Sequence, residues 1–101
     1  MSFLITLKVT GDVETFRKAL DERADEIKAV ADKAKSMGAI HHRFGIGDGY
    51  IHVVDEWSDP ASFEAFFGDP SMQEFIGSIG ADPNTPPEIT VSEAIETPDQ
   101  F

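Results

Sequence analysis

The sequence predicts an α+β protein: a four-stranded antiparallel sheet with helices on one face, in the order strand, helix, strand, strand, helix, strand. Three observations carry that prediction. Residues 3–9 (FLITLKV) alternate apolar and polar positions, the period of a half-buried strand. Residues 13–37 place apolar side chains at steps of three and four, the period of an amphipathic helix. Residues 39–57 hold two more alternating runs around Asp48-Gly49, a dipeptide that favours a tight primed turn.

In the first strand Phe3, Ile5, Leu7 and Val9 share one face, and Leu4, Thr6 and Lys8 the other. Thr10-Gly11-Asp12 ends it, and Thr10 or Asp12 can cap the helix that follows. That helix reads as one piece over 13–37, with a stripe from Val13 and Phe16 through Leu20, Ala24 and Ile27 to Ala34 and Met37. Gly38 stands where a helix end favours a residue tolerant of positive φ. The two hairpin strands are 39–46 and 50–57. Ser58-Asp59-Pro60 then opens a second helix, with Ser58 as the cap and Pro60 in the first turn. Phe63, Phe66 and Phe67 give it apolar bulk. Gly68 interrupts it, and Asp69-Pro70 repeats the cap-plus-proline device before an apolar face that runs to Ile79. Residues 81–87 form a proline-stiffened loop. Residues 88–96 form the last strand, with Ile89, Val91 and Ile95 in one register. One domain is expected over 1–96, with a C-terminal tail at 97–101. Joined by right-handed crossovers, this order gives a ferredoxin-like βαββαβ layer.

Bulk composition narrows the function classes. A hydrophobic fraction of 41% suits a globular core. With no cysteine there is no disulfide, thiolate metal site or cysteine nucleophile. The formal net charge of −11 repels a phosphate backbone and an anionic membrane alike, so neither nucleic acid nor membrane is expected as a partner. MSFLITLKVTG alternates too strictly for a signal-peptide core and no long apolar run follows, so a cytoplasmic protein is expected.

The chemistry-bearing stretch is HHRFGIGDGYIHVVDEW at 41–57, which holds all three histidines, the one Trp and the one Tyr. A two-residue turn at 48–49 sets Gly47 opposite Tyr50, Phe44 opposite Val53, His42 opposite Asp55, His41 opposite Glu56 and Ile40 opposite Trp57. Alternation turns His42, Phe44, Val53, Asp55 and Trp57 toward the helices. His42 and Asp55 are then the polar exception on an apolar face. A carboxylate beside an imidazole orients the ring and favours its charged form, so the pair could remove a proton from a bound substrate. It could equally be a structural pair at the sheet edge. His41, Arg43 and His52 turn to the other face with Leu4, Thr6 and Val54. His41 and His42 therefore point in opposite directions, which counts against a shared metal, and no metal is assigned. Trp57, Phe63, Phe66, Phe67 and Phe75 could wall a pocket for a flat ligand, with Phe44 of the hairpin beside them, although ordinary core accounts for most such aromatics. Gly45, Gly47 and Gly49 join two strands and lack a lysine, so they make no phosphate loop. A second copy of the chain packed on the open sheet face would bury its apolar positions and protect its edges.

At VDEWSDPASFEAFFGDPSMQEFI (54–76) the chain resembles the antibiotic biosynthesis monooxygenase-like family. The resemblance lies in Glu56-Trp57 at a strand end, then Phe63-Glu64-Ala65 on a helix, then Asp69-Pro70. It implies a dimeric α+β barrel whose two sheets face each other, with a pocket between helices and sheet in each subunit. It also implies oxidation of a small aromatic or polyketide-derived substrate with no cofactor. The haem-degrading branch takes its iron ligand from a helical histidine near the positions filled here by Phe66 and Ser71. This chain has no histidine after His52, so that chemistry is not carried over. The expectation is a cofactor-independent monooxygenase-like homodimer, with His42 and Asp55 as acid–base pair and Trp57, Phe44, Phe63 and Phe66 at the substrate. The alternative is a non-catalytic dimeric small-ligand-binding or accessory protein.

Overall fold

The computed structural model describes residues 1–101. Four strands, β1 (Phe3–Thr10), β2 (Ala39–Gly47), β3 (Tyr50–Trp57) and β4 (Glu88–Glu93), form one antiparallel sheet in the order β2-β3-β1-β4. Four helices, α1 (Val13–Glu22), α2 (Ala24–Met37), α3 (Pro60–Phe67) and α4 (Pro70–Ser78), fill the two crossovers. This is the predicted ferredoxin-like α+β arrangement.

The hairpin register is the predicted one from the turn to His41: Gly47 pairs with Tyr50, Phe44 with Val53, His42 with Asp55 and His41 with Glu56. The Tyr50 ring lies over Gly47, where a Cβ would come 2.0 Å from its Cζ, so a side chain there would displace the ring. The expected Ile40–Trp57 pairing does not form. Ala39 pairs with Trp57, and Ile40 is the extra residue of a bulge, 48% exposed. The cause lies at the helix end. Gly38, at φ 125°, accepts the Ser58 N–H at 2.9 Å, which fixes the start of β2 to the end of β3. The turn fixes the other end, and the one residue left over is squeezed out.

The helix expected over 13–37 is two helices, broken at Arg23 (φ −124°, ψ 30°). No Gly or Pro marks the break. α1 buries Phe16 and Ala19 in the core, and Leu20 lies at the surface. Asp25 and Glu26 in the first turn of α2 suit a new positive helix end. Asp12 caps α1, its carboxylate accepting the N–H groups of Glu14 and Thr15. Asp59, and not Ser58, caps α3. Pro60 occupies the first helical position, so the residue just before it must cap, and Asp59 accepts the Ser62 N–H at 2.8 Å. Asp69 caps α4 in the same way through Ser71.

β4 ends at Glu93 and not at Glu96, because Phe3, where β1 begins, is its last partner. Ile95 lies beyond the strand, 71% exposed. Ile89 and Val91 pair with Leu7 and Ile5 but stay exposed, since no helix extends over this edge. Only 12 of 101 residues are buried. The core is thin because the helices stand away from the sheet over a cavity.

Candidate functional site

The cavity between the helices and the sheet has a volume of about 320 Å³ and 23 lining residues, 19 of them hydrophobic. β1 and β3 form its floor through Leu7, Val9, Ile51 and Val53. Phe16 of α1, Val30 and Ala34 of α2, Phe63 and Phe66 of α3, and Phe75 of α4 form its walls and roof. Ala31 and Ala34 fall on the inward stripe of α2, where small side chains leave the space open. Lys35, Ile40 and His41 also touch it, and their exposure places the mouth over the β2 edge.

Into this apolar wall β2 and β3 bring one polar cluster. His42 Nδ1 and Asp55 Oδ1 lie 2.6 Å apart. Asp55 is the one buried charged residue, and its other oxygen, Oδ2, accepts the Trp57 indole N–H at 3.0 Å. Both carboxylate oxygens are therefore engaged, as a buried charge requires. The His42 ring stands edge-on to Phe44 at 4.6 Å, and Phe44 in turn stands edge-on to Phe16 at 5.0 Å. The His42 side chain is 35% exposed, so the pair reaches from the buried Asp55 to the cavity rim.

His42, Asp55, Phe44, Phe63 and Phe66 all line the cavity. Trp57 does not. It is fully buried against Phe63 and Phe66, with ring centroids 5.6 and 5.5 Å away, and it reaches the site only through its hydrogen bond to Asp55. Phe67 and Phe75 line the cavity as expected, while the α2 roof, Met72 and Ile76 of α4, and Ile79 at the end of α4 are parts of the site that the sequence reading does not assign. The alanines on the α2 stripe and the apolar run from Met72 to Ile79 are the signals that point to them.

The other two histidines sit on the opposite sheet face. His41 Nδ1 meets Glu56 Oε1 at 3.0 Å, and Ser2 donates its hydroxyl to Glu56 Oε2 at 2.5 Å. The Ser2 hydroxyl, and after it His41, holds the Glu56 carboxyl below the usual carboxylate range. His52 pairs with Lys8 and Gly45 in the ladder, away from His41. No three His, Cys, Asp or Glu side chains converge in a way that could hold a metal ion. The arrangement offers a mostly apolar chamber with the His42–Asp55 pair on its wall and Lys35 and His41 at its mouth.

No protein-family model and no curated protein matches the sequence. Solved structures do match. The monooxygenase ActVA-Orf6 of Streptomyces coelicolor, whose structure holds nanaomycin D, has a TM-score of 0.64 at 13% identity, covering 95% of this chain and 89% of that one. Rv0793 of Mycobacterium tuberculosis has a TM-score of 0.62 at 12% identity, covering 98% and 100%. SnoaB of Streptomyces nogalater, a cofactor-independent oxygenase, has a TM-score of 0.57 at 12% identity, covering 98% of each chain. At such identities the likeness is one of architecture: along nearly its whole length, this chain has the α+β fold of antibiotic biosynthesis monooxygenase-like structures.

Proposed function

We propose that this protein is a cofactor-independent monooxygenase that oxidises a small aromatic or polyketide-derived molecule in the helix–sheet cavity. The observation that carries the reading is the His42–Asp55 pair, 2.6 Å apart on the wall of a mostly apolar chamber. Asp55 accepts a hydrogen bond from the Nδ1–H of His42, which leaves Nε2 as a lone-pair acceptor. His42 Nε2 would remove the proton of an acidic hydroxyl or activated C–H on the substrate. The resulting electron-rich anion supplies the electrons for dioxygen. One oxygen atom enters the substrate, converting a CH₂ to a carbonyl, and the other leaves as water with the two hydrogens removed. Substrate and dioxygen alone balance the step. Phe44, Phe63 and Phe66 would hold the flat substrate and exclude water.

The same reading includes a homodimer through the open sheet face. Leu4 and Val54 are each 45% exposed at its centre. Lys8 and Arg43 there balance Glu56 and Glu88, so the face is formally neutral in a chain of net charge −11. Two copies would meet there without the repulsion that a net charge of −11 otherwise brings.

Oxygen uptake with anthrone and hydroquinone substrates tests the catalytic reading. His42→Ala should lower turnover by roughly a hundredfold to ten-thousandfold, the range for loss of a general base. No turnover across a broad panel sinks it. The second reading, non-catalytic binding of a small apolar ligand, is favoured by the 19 hydrophobic lining residues. It predicts that ligands bind the chamber, and still bind after His42→Ala, with no oxygen consumed.

A further inference from the structure

We infer that Trp57 is the positioning residue of the site: its indole N–H holds one oxygen of Asp55 and so turns the other toward His42, whose Nδ1 then carries the ring proton. The functional meaning of this role rests on the acid–base reading above, while its geometry stands independently.

An indole N–H donates and never accepts. Trp57 Nε1 lies 3.0 Å from Asp55 Oδ2, and the ring cannot move away, being fully buried and packed on Phe63 and Phe66. One side of the Asp55 carboxyl is therefore committed to accepting. The other, Oδ1, faces His42 Nδ1 at 2.6 Å. A carboxylate oxygen accepts as well, so His42 must donate there and carry its proton on Nδ1. Nε2 is then unprotonated, on a residue that lines the cavity. Trp57 and Asp55 are two residues apart on β3, so alternation places both on the helix face, and the bulge at Ile40 leaves the His42–Asp55 register intact. Trp57 acts on the chamber only through Asp55, because it does not itself line it.

Asp55→Asn preserves the shape of the side chain and has an unusual expected outcome. The Trp57 N–H will still require an acceptor and will hold the amide oxygen. The amide NH₂ must then point at His42, whose Nδ1 has to accept, and the ring proton moves to Nε2. The measurement is the ¹⁵N shift of the His42 ring nitrogens in histidine-labelled protein, above the pH where the ring titrates. His41→Gln and His52→Gln variants assign the signals. The unsubstituted protein should show a protonated-type Nδ1 and an unprotonated-type Nε2. Asp55→Asn should exchange the two. Adding Trp57→Phe frees the amide to turn and should pull both resonances back toward averaged values. Retention of the Nδ1–H form in folded Asp55→Asn overturns the inference. So does an inverted ring that is unmoved by Trp57→Phe in a folded double variant. If the double variant does not fold, Asp55→Asn alone decides. None of these readouts needs a ligand. A protein that shows the exchange yet consumes no oxygen refutes the monooxygenase reading and leaves the role of Trp57 standing.

Discussion

Asp55 sits between two donors of unequal freedom: a buried indole that cannot move and an imidazole at the cavity rim. The pairing of His42 with Asp55 was legible in the sequence, because an Asp-Gly turn and strict alternation leave one register. The same alternation suggests Trp57 at the substrate, and there it is not enough. Alternation says which face a residue takes but not whether a helix has already covered it, and α3 covers Trp57 with Phe63 and Phe66. Burial separates two further side chains. Ile5 is fully buried and does not line the chamber, whereas Phe16 is fully buried and does. Ile5→Ala should cost about 2–5 kcal/mol of unfolding free energy in a denaturant titration. Phe16→Ala should fall at the low end of the roughly 3–5 kcal/mol typical of such a change, because it enlarges a space already present. Glu56 gives a pH prediction. Its folded-state carboxyl is held low by Ser2 and then His41, so its contribution is present above the ordinary carboxylate range and lost as pH falls through the lowered value. Glu56→Gln should remove that part of the acid-side slope, as read by melting temperature against pH.

The helices show where local sequence and tertiary demand part. The caps Asp12, Asp59 and Asp69 follow from short-range chemistry, two of them directly before a proline. The break at Arg23 does not, because it serves packing with distant elements. The Arg23 guanidinium bonds Glu26 within its own helix and reaches the Ser78 hydroxyl at 2.9 Å. It also lies 5.3 Å from the centre of the Phe75 ring. These contacts hold the C-terminal half of α4, a helix with no fully buried residue, over the cavity. Lys33, 3.9 Å from Asp69, faces its other end. Arg23→Ala should therefore speed amide exchange from Phe75 to Ile79 while leaving exchange in β1 and β3 unchanged. Equal acceleration everywhere would mean that Arg23 supports the whole fold and not α4. β4 stops three residues earlier than its apolar pattern implies, since a strand lasts only as long as its neighbour.

At the scale of the molecule, the element order and sheet topology followed from periodicity and connection rules, while the chamber did not. No sequence pattern states how far helices stand from a sheet. The open face makes a prediction at this scale. If two copies stack there, sedimentation should give a dimer, and Leu4→Asp with Val54→Lys should yield monomers with an unchanged circular dichroism spectrum. A monomer at all concentrations in the unsubstituted protein removes the homodimer from the proposal.

The thin core has a consequence for testing whether a small molecule enters the chamber. A chain that leaves about 320 Å³ of mostly apolar space where other proteins keep packed side chains would gain stability from any molecule that fills it. Occupancy at a hundred times the dissociation constant adds about 2.7 kcal/mol to stability. Thermal denaturation across a library of apolar compounds would thus rank ligands without any assay of the reaction. Any compound that fills the chamber would be reported by how hard the molecule is to melt.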